Sequence, residues 1–120
     1  MSETVFWILT ALASERRHGY AVLQDVAELS GGTVHLRVTT LYASLERLTR
    51  EGKVAVVGED VVDGRARRYY EITPEGSRGL EDEVDRLAMR AAAARSRMAA
   101  PKTRAPKPAS RPAPAMTALA

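Results

Sequence analysis

Around Leu41, Leu45 and Leu48 stand Thr39, Thr40, Tyr42, Ala43, Ser44, Arg47 and Arg50. The leucines are spaced i, i+4, i+7, which makes one buried stripe of a helix. Thr39, Thr40, Ala43, Arg47 and Arg50 then fall on its outer arc, with Tyr42 and Ser44 at the borders. Hydroxyls, a small methyl side chain and guanidinium groups are suited to hydrogen bonding with anionic or polar edges, not to acid–base or nucleophilic work. A second group of the same character follows in Arg65, Arg67 and Arg68. Enzyme chemistry has no comparable support: no paired carboxylates, nucleophile–base set or phosphate-cradling glycine loop is evident. His18 and His35 are the two histidines and form no ligand set, and the absence of cysteine excludes thiolate metal sites and disulfides. No catalytic residue, metal or cofactor is expected.

Two readings of the helix compete. In the first, Thr39 and Thr40 lie at the helix N-terminus, where exposed backbone N–H groups favour a phosphate. Ala43 admits close approach and touches a thymine methyl, and Arg47 reads guanine with two hydrogen bonds. In the second, Arg47 pairs with Glu51 four residues on and the threonines serve as N-caps. The three arginines at 65, 67 and 68 favour the first reading. They gather at a hairpin tip, where guanidinium groups would contact phosphates or enter a minor groove.

The elements that must position these residues can be read from periodicity. Val5, Ile8, Leu9 and Leu12 form a helical stripe over about 2–14, with Trp7 on the opposite side, either under another element of the chain, or in a subunit interface or lining a ligand pocket. The stretch "VFWILTALA" has no basic residues before it and is too short to span a bilayer, so it reads as a core helix with no membrane partner. "ERRHGY" is a polar break. Val22, Leu23, Val26 and Leu29 then give a second helix over about 18–29, stopped by "SGG", and the third runs over about 38–51 to Gly52.

After Gly52 the period becomes alternating. "KVAVVGEDVV" and "RARRYYEIT" read as strands flanking Asp63-Gly64, a strong hairpin signal. Pairing outward from that turn puts Ala55 opposite Ile72 and Val57 opposite Tyr70 as the buried face, with Asp60, Arg67, Tyr69 and Glu71 on the other. Thr73-Pro74-Glu75 starts a last helix, with threonine as N-cap. Along it Leu80, Val84, Leu87, Ala91, Ala94 and Met98 recur as a heptad seam of nearly three repeats.

Charge is divided unevenly. Residues 1–90 hold twelve Arg/Lys and fifteen Asp/Glu, a net of −3, whereas residues 91–120 hold six Arg/Lys and no acid. The overall excess of +3 is thus set by the end of the chain, and any anion-binding surface in the domain must come from local placement. Residues 101–120 carry five of the six prolines. Such a composition predicts a disordered basic tail, which either adds sequence-independent contact with DNA, the favoured reading, or is an unselected extension biased to alanine and proline. The expected organisation is therefore a helix–helix–helix–hairpin domain over 1–73, a helix over 74–100 and a tail over 101–120. The class is mainly α with a two-stranded hairpin, the winged helix-turn-helix arrangement. Such a domain serves either specific DNA binding or protein–protein contact.

The chain resembles the PadR family of transcriptional regulators over about residues 5–80. The resemblance rests on "ILTALASERRHGY" (8–20), "TTLYASLERLTREGKV" (39–54) and "RRYYEITPEG" (67–76), in that order. It implies a cytoplasmic, homodimeric repressor bound to a near-palindromic operator. Tyr42 and its neighbours would face DNA, and Arg67 would be the wing arginine. The last helix would pack in the dimer with the first, joining Leu80, Val84, Leu87, Ala91, Ala94 and Met98 to Trp7. His18, Gly19 and Tyr20 match the start of the family's second helix and are structural on this reading, Gly19 for close approach and Tyr20 for packing. Many relatives have glycine at the position of Thr39 and proline at that of Ala43, so base preference does not transfer. Relatives that stack a flat ligand use an aromatic on the last helix. The run from Leu80 to Met98 has none, which leaves any small-molecule inducer unidentified.

Overall fold

A computed structural model describes residues 1–101, and the expected tail lies almost wholly outside them. The elements in chain order are α1 (Glu3–Leu12), β1 (Arg17–His18), α2 (Gly19–Leu29), α3 (Val38–Arg50), β2 (Val54–Val62), β3 (Arg65–Ile72) and α4 (Pro74–Ala99). The described residues divide into two units, Met1–Leu87 and a second that begins at Ala88.

The predicted stripes supply the core of the first unit. Ile8, Leu9 and Leu12 from α1, Val22 and Val26 from α2, and Leu41, Leu45 and Leu48 from α3 are fully buried together with Val54, and Tyr70 joins them. Each such aliphatic side chain contributes about 1.5–3 kcal/mol on burial. Trp7 is half-buried against this core, with its ring edge-on to Phe6. Leu29, expected in the second stripe, is exposed because it is the last helical residue before the chain turns.

Helix ends follow the sequence signals. Both α2 and α3 close with paired backbone bonds of the Schellman type: Gly32 N–H donates to the Ala27 carbonyl, and Lys53 N–H to that of Leu48. Gly52 takes the left-handed conformation this requires (φ 77°). Thr73 caps α4: its hydroxyl accepts from Gly76 N–H at 3.0 Å and donates to the Gly52 carbonyl at 2.7 Å. The end of α3 and the start of α4 are thus tied through one side chain.

The sheet corrects two expectations. It has three strands, ordered β1-β3-β2, because Arg17 and His18 pair with Tyr70 and Tyr69. Two residues are too short to show a period, so the segment reads only as a break. The hairpin turn is where Asp63-Gly64 predicts it, with positive φ at both residues (53° and 76°), the primed turn whose twist matches the strands. From Val62↔Arg65 to Gly58↔Tyr69 the outward register holds, but Val57 then forms a bulge. Below it the partners are Val56↔Tyr70, Ala55↔Glu71 and Val54↔Ile72. A one-residue slip turns every side chain to the other face. The buried β2 residue is therefore Val54, not Ala55 or Val57.

On α4 the inward positions are Gly76, Leu80 and Glu83; Leu80 packs against the core. Glu83 is buried and pairs with Arg86 and with the Met1 amine, which lies 3.8 Å away. Val84 and Leu87 are 48% and 38% exposed. In the second unit Ala91, Ala94 and Met98 are exposed, Met98 to 80%.

Gly76 is where the domain tolerates least change. A Cβ there would press on the Lys53 carbonyl oxygen and lie 3.0 Å from Ile72 Cγ1, and the carbonyl is main chain that cannot swing away. Gly76→Ala is expected to lower stability by about 1–3 kcal/mol, read from the shift of the urea unfolding midpoint; an unchanged midpoint would show that α4 shifts freely on the sheet.

Candidate nucleic-acid interface

With its leucines buried, α3 leaves Thr39, Thr40, Tyr42, Ala43, Arg47 and Arg50 exposed and Ser44 half-exposed. Thr39, Thr40, Ala43, Ser44 and Arg47 line one shallow open depression, so the predicted arc is a contiguous surface. The helix starts one residue before the threonines. Arg37 is the N-cap residue and makes no side-chain cap, which corrects the threonine-capping alternative. Among the described residues the hydroxyls of Thr39, Thr40 and Ser44 have no partner within the chain, and the first-turn N–H groups are open beside them. Arg47 does meet Glu51, at the outer limit of 4.0 Å and with both side chains about half exposed. Such a pair contributes about 0.3–0.5 kcal/mol. A bidentate guanine contact discriminates by about 1–3 kcal/mol, so the pair does not hold Arg47 back from a base.

The wing borders the N-terminal end of this helix. A cleft is lined by Val38 and Tyr42 of α3, by His18, Gly19 and Tyr20, and by Val62, Asp63, Arg65, Ala66, Arg67 and Arg68 of the hairpin. The three wing arginines therefore face the same opening as the start of α3. Arg68 is engaged with Glu59 at 3.2 Å, and the Tyr69 hydroxyl donates to Asp60 at 3.1 Å. Among the described residues Arg65 and Arg67 have no ion pair. Tyr70 holds the base of the wing: burial raises its phenol above the ordinary range, and the nearby Arg68 opposes this while Tyr42 and Glu46 of α3 add to it.

His18, Gly19 and Tyr20 divide between expectation and correction. Gly19 is a close-approach position, since a Cβ there would lie 2.7 Å from Cε1 and Cζ of Tyr42. Tyr20 is not a packing residue: it is 58% exposed in the cleft, because β1 turns the start of α2 toward the wing. His18 is the N-cap of α2, its Nδ1 accepting from Ala21 N–H at 3.3 Å. These two lining residues were missed as site residues. The His-Gly-Tyr motif marked them, but only the strand pairing shows which way they face.

Three helices with the third bordering a two-stranded wing define a winged helix-turn-helix protein. Residues 8–82 match the model of the transcriptional regulator PadR-like family, and the chain belongs to that family. It is 40% identical over 76 residues to the transcriptional regulator Rv3488 of Mycobacterium tuberculosis, covering 63% of this chain and 67% of that one. Its fold is similar to that of a PadR family transcription regulator from Clostridium difficile (TM-score 0.68, 20% identity, 81% of this chain and 99% of that chain). It is also similar to Bacillus subtilis PadR, solved in complex with operator DNA (TM-score 0.63, 22% identity, 70% of this chain). The present chain spans about half of that protein, 48% of its length. No described helix is long and apolar enough to cross a membrane.

The His18 ring stacks edge-on against Tyr69 with centroids 5.7 Å apart. Burial first, and the Arg67 guanidinium second, hold it below its ordinary value of 6.5, with Asp60 opposing them. The neutral ring is also the form that can accept the Ala21 amide. As pH falls, the unfolded chain takes up this proton before the folded one. The contribution to stability is therefore complete above about 6.5 and is lost as the pH drops through the lower folded value. His18→Asn retains a capping side chain but nothing to titrate. Its urea midpoint should fall less than the parent's between about pH 7.5 and 5.5; equal falls would remove His18 as the source.

Proposed function

We propose that this chain is a sequence-specific DNA-binding regulator, acting as a homodimeric repressor on a near-palindromic operator in the cytoplasm. The observation that carries the reading is that Val38 and Tyr42 of α3 line one cleft with the wing arginines, beside an exposed outer arc. Among the described residues the outer arc of α3 is uncovered, and the cleft at its N-terminal end is walled by Arg65, Arg67 and Arg68. A helix of this shape fits the major groove, with Thr39, Thr40, Tyr42, Ala43, Ser44 and Arg47 toward base edges and the nearest phosphates. The wing arginines then lie along the backbone, where neutralised phosphates give affinity without sequence preference. The positive surface is local. Residues 1–90 are net negative, yet the wing tip and the outer arc of α3 concentrate arginine. Rv3488 and Bacillus subtilis PadR support the assignment by their names and by the operator complex of the latter.

A second copy suits α4. Val84, Leu87, Ala91, Ala94 and Met98 continue the heptad spacing begun by Leu80 and are exposed among the described residues, and small alanines permit close helix approach. Trp7 lies on α1 with only its inner part against the core. In the proposed dimer this seam and Trp7 are the contact, and the two recognition helices sit about one DNA turn apart, roughly 34 Å.

Two measurements test these assignments. Against a duplex selected from a random pool, Arg67→Ala should weaken binding to all sequences alike and reduce the salt slope by about one per subunit, about two for the dimer. Arg47→Ala should cost about 1–3 kcal/mol per subunit and relax preference at one base pair in each half-site. If both variants bind like the parent, α3 and the wing do not form the interface; if the parent shows no salt-dependent duplex binding, a protein partner becomes the better reading. In sedimentation velocity the parent should run as a dimer. Leu87→Glu, which buries a charge in the seam at a cost of about 3 kcal/mol, should raise the dissociation constant roughly 100-fold. A monomeric parent would refute the seam.

A further inference from the structure

The cleft beneath the wing holds one group that the DNA reading does not use. His18 shares it with Arg65, Arg67 and Arg68, and Asp63 is the one acid in its lining. The ring is positioned from several directions. Its backbone is paired with Tyr69 across β1 and β3, its ring packs at right angles to that of Tyr69, and Nδ1 accepts the Ala21 amide. With Nδ1 used as an acceptor, the proton of the neutral ring is on Nε2, which has no partner among the described residues. A group held in this way loses little freedom on making a contact.

Resting on the DNA reading, we infer that His18 is a further contact of that surface: its imidazole donates to a backbone phosphate of the duplex, and binding takes up one proton at the ring. The charges around the ring explain why the proton arrives with DNA. In the free protein the cation is disfavoured by burial, by Arg67 and by the positive end of α2. Asp60 of β2 opposes these, and Asp63 of the turn is the other acid nearby. From β3 the facing groups are Arg65, Arg67, Arg68 and Tyr69; from α2 and α3 they are Tyr20 and Tyr42. Arg16 and Glu59 line the depression next to Asp60 and Tyr69. A phosphate entering the cleft offsets the arginines and adds an opposite charge beside the imidazole. The proton then comes from solvent onto Nδ1. The Ala21 N–H that loses its acceptor lies in the first turn of α2, at the positive end of the helix, where a phosphate oxygen is the natural replacement.

The test compares the parent with His18→Asn on a duplex selected with the parent from a random pool, at constant ionic strength, from about pH 8 to pH 6. The parent's affinity should rise as pH falls, by up to about tenfold per pH unit, the limit for one linked proton. The variant, still capped, should give a flatter curve. This direction is opposite to that of folding stability, so acid unfolding cannot imitate it. As a second readout, the titration of the His18 ring followed by NMR should move upward when the duplex is added. Parallel affinity curves, or a ring titration unmoved by the duplex, would overturn the inference while leaving the regulator reading intact. A parent that binds no duplex at any pH would overturn both.

Discussion

The antiparallel pairing of Arg17 and His18 with Tyr70 and Tyr69 is the contact on which the rest of the molecule depends. Without it the hairpin would be a two-stranded ribbon, which is marginally stable by itself. With it, the base of the wing is joined to the start of α2, and α2 in turn presses on α3 through Gly19 and Tyr42. The placement of α3 beside the wing is therefore held by backbone hydrogen bonds, this steric contact and the shared core, not by flexible surface charges. Arg17 strengthens the same junction from its side chain, which reaches the Ala11 carbonyl at 2.9 Å and Asp25 at 3.1 Å.

That junction also explains how an acidic domain can present a basic face. Charges on α3 and on the wing are far apart in sequence and would be screened from one another in an extended chain. The fold brings Arg65, Arg67 and Arg68 around one opening with the N-terminal turn of α3, whose unpaired N–H groups carry partial positive charge. Acids such as Glu59, Asp60 and Glu51 are present but are matched with Arg68, Tyr69 and Arg47. The field is thus built from position and orientation, and net charge alone conveys little of it.

Packing divides the labour differently. Aliphatic residues fill the centre, while the contacts between elements are made by glycines and by hydroxyls that hydrogen-bond main chain. Gly76 lets α4 lie on the Lys53 carbonyl, and Thr73 ties α4 to Gly52. The buried Glu83 with Arg86 is the exception, a charged group on the inner face of α4 that no hydrophobic pattern would suggest.

The helices, their stops at Gly31 and Gly52, the Asp63-Gly64 turn and the Thr73 cap were all legible in the residues, because periodicity, caps and primed turns are local and act within a few positions. So was the outward arc of α3, which follows from three leucines. The tertiary structure alone decided the third strand, whose two residues carry no period, and the bulge at Val57, which reversed the face of β2 below it. It also decided that His18 and Tyr20 turn into the cleft instead of the core. That outcome depends on a partner strand about fifty residues away, and a non-local pairing of this kind leaves no trace in the spacing of the segment itself.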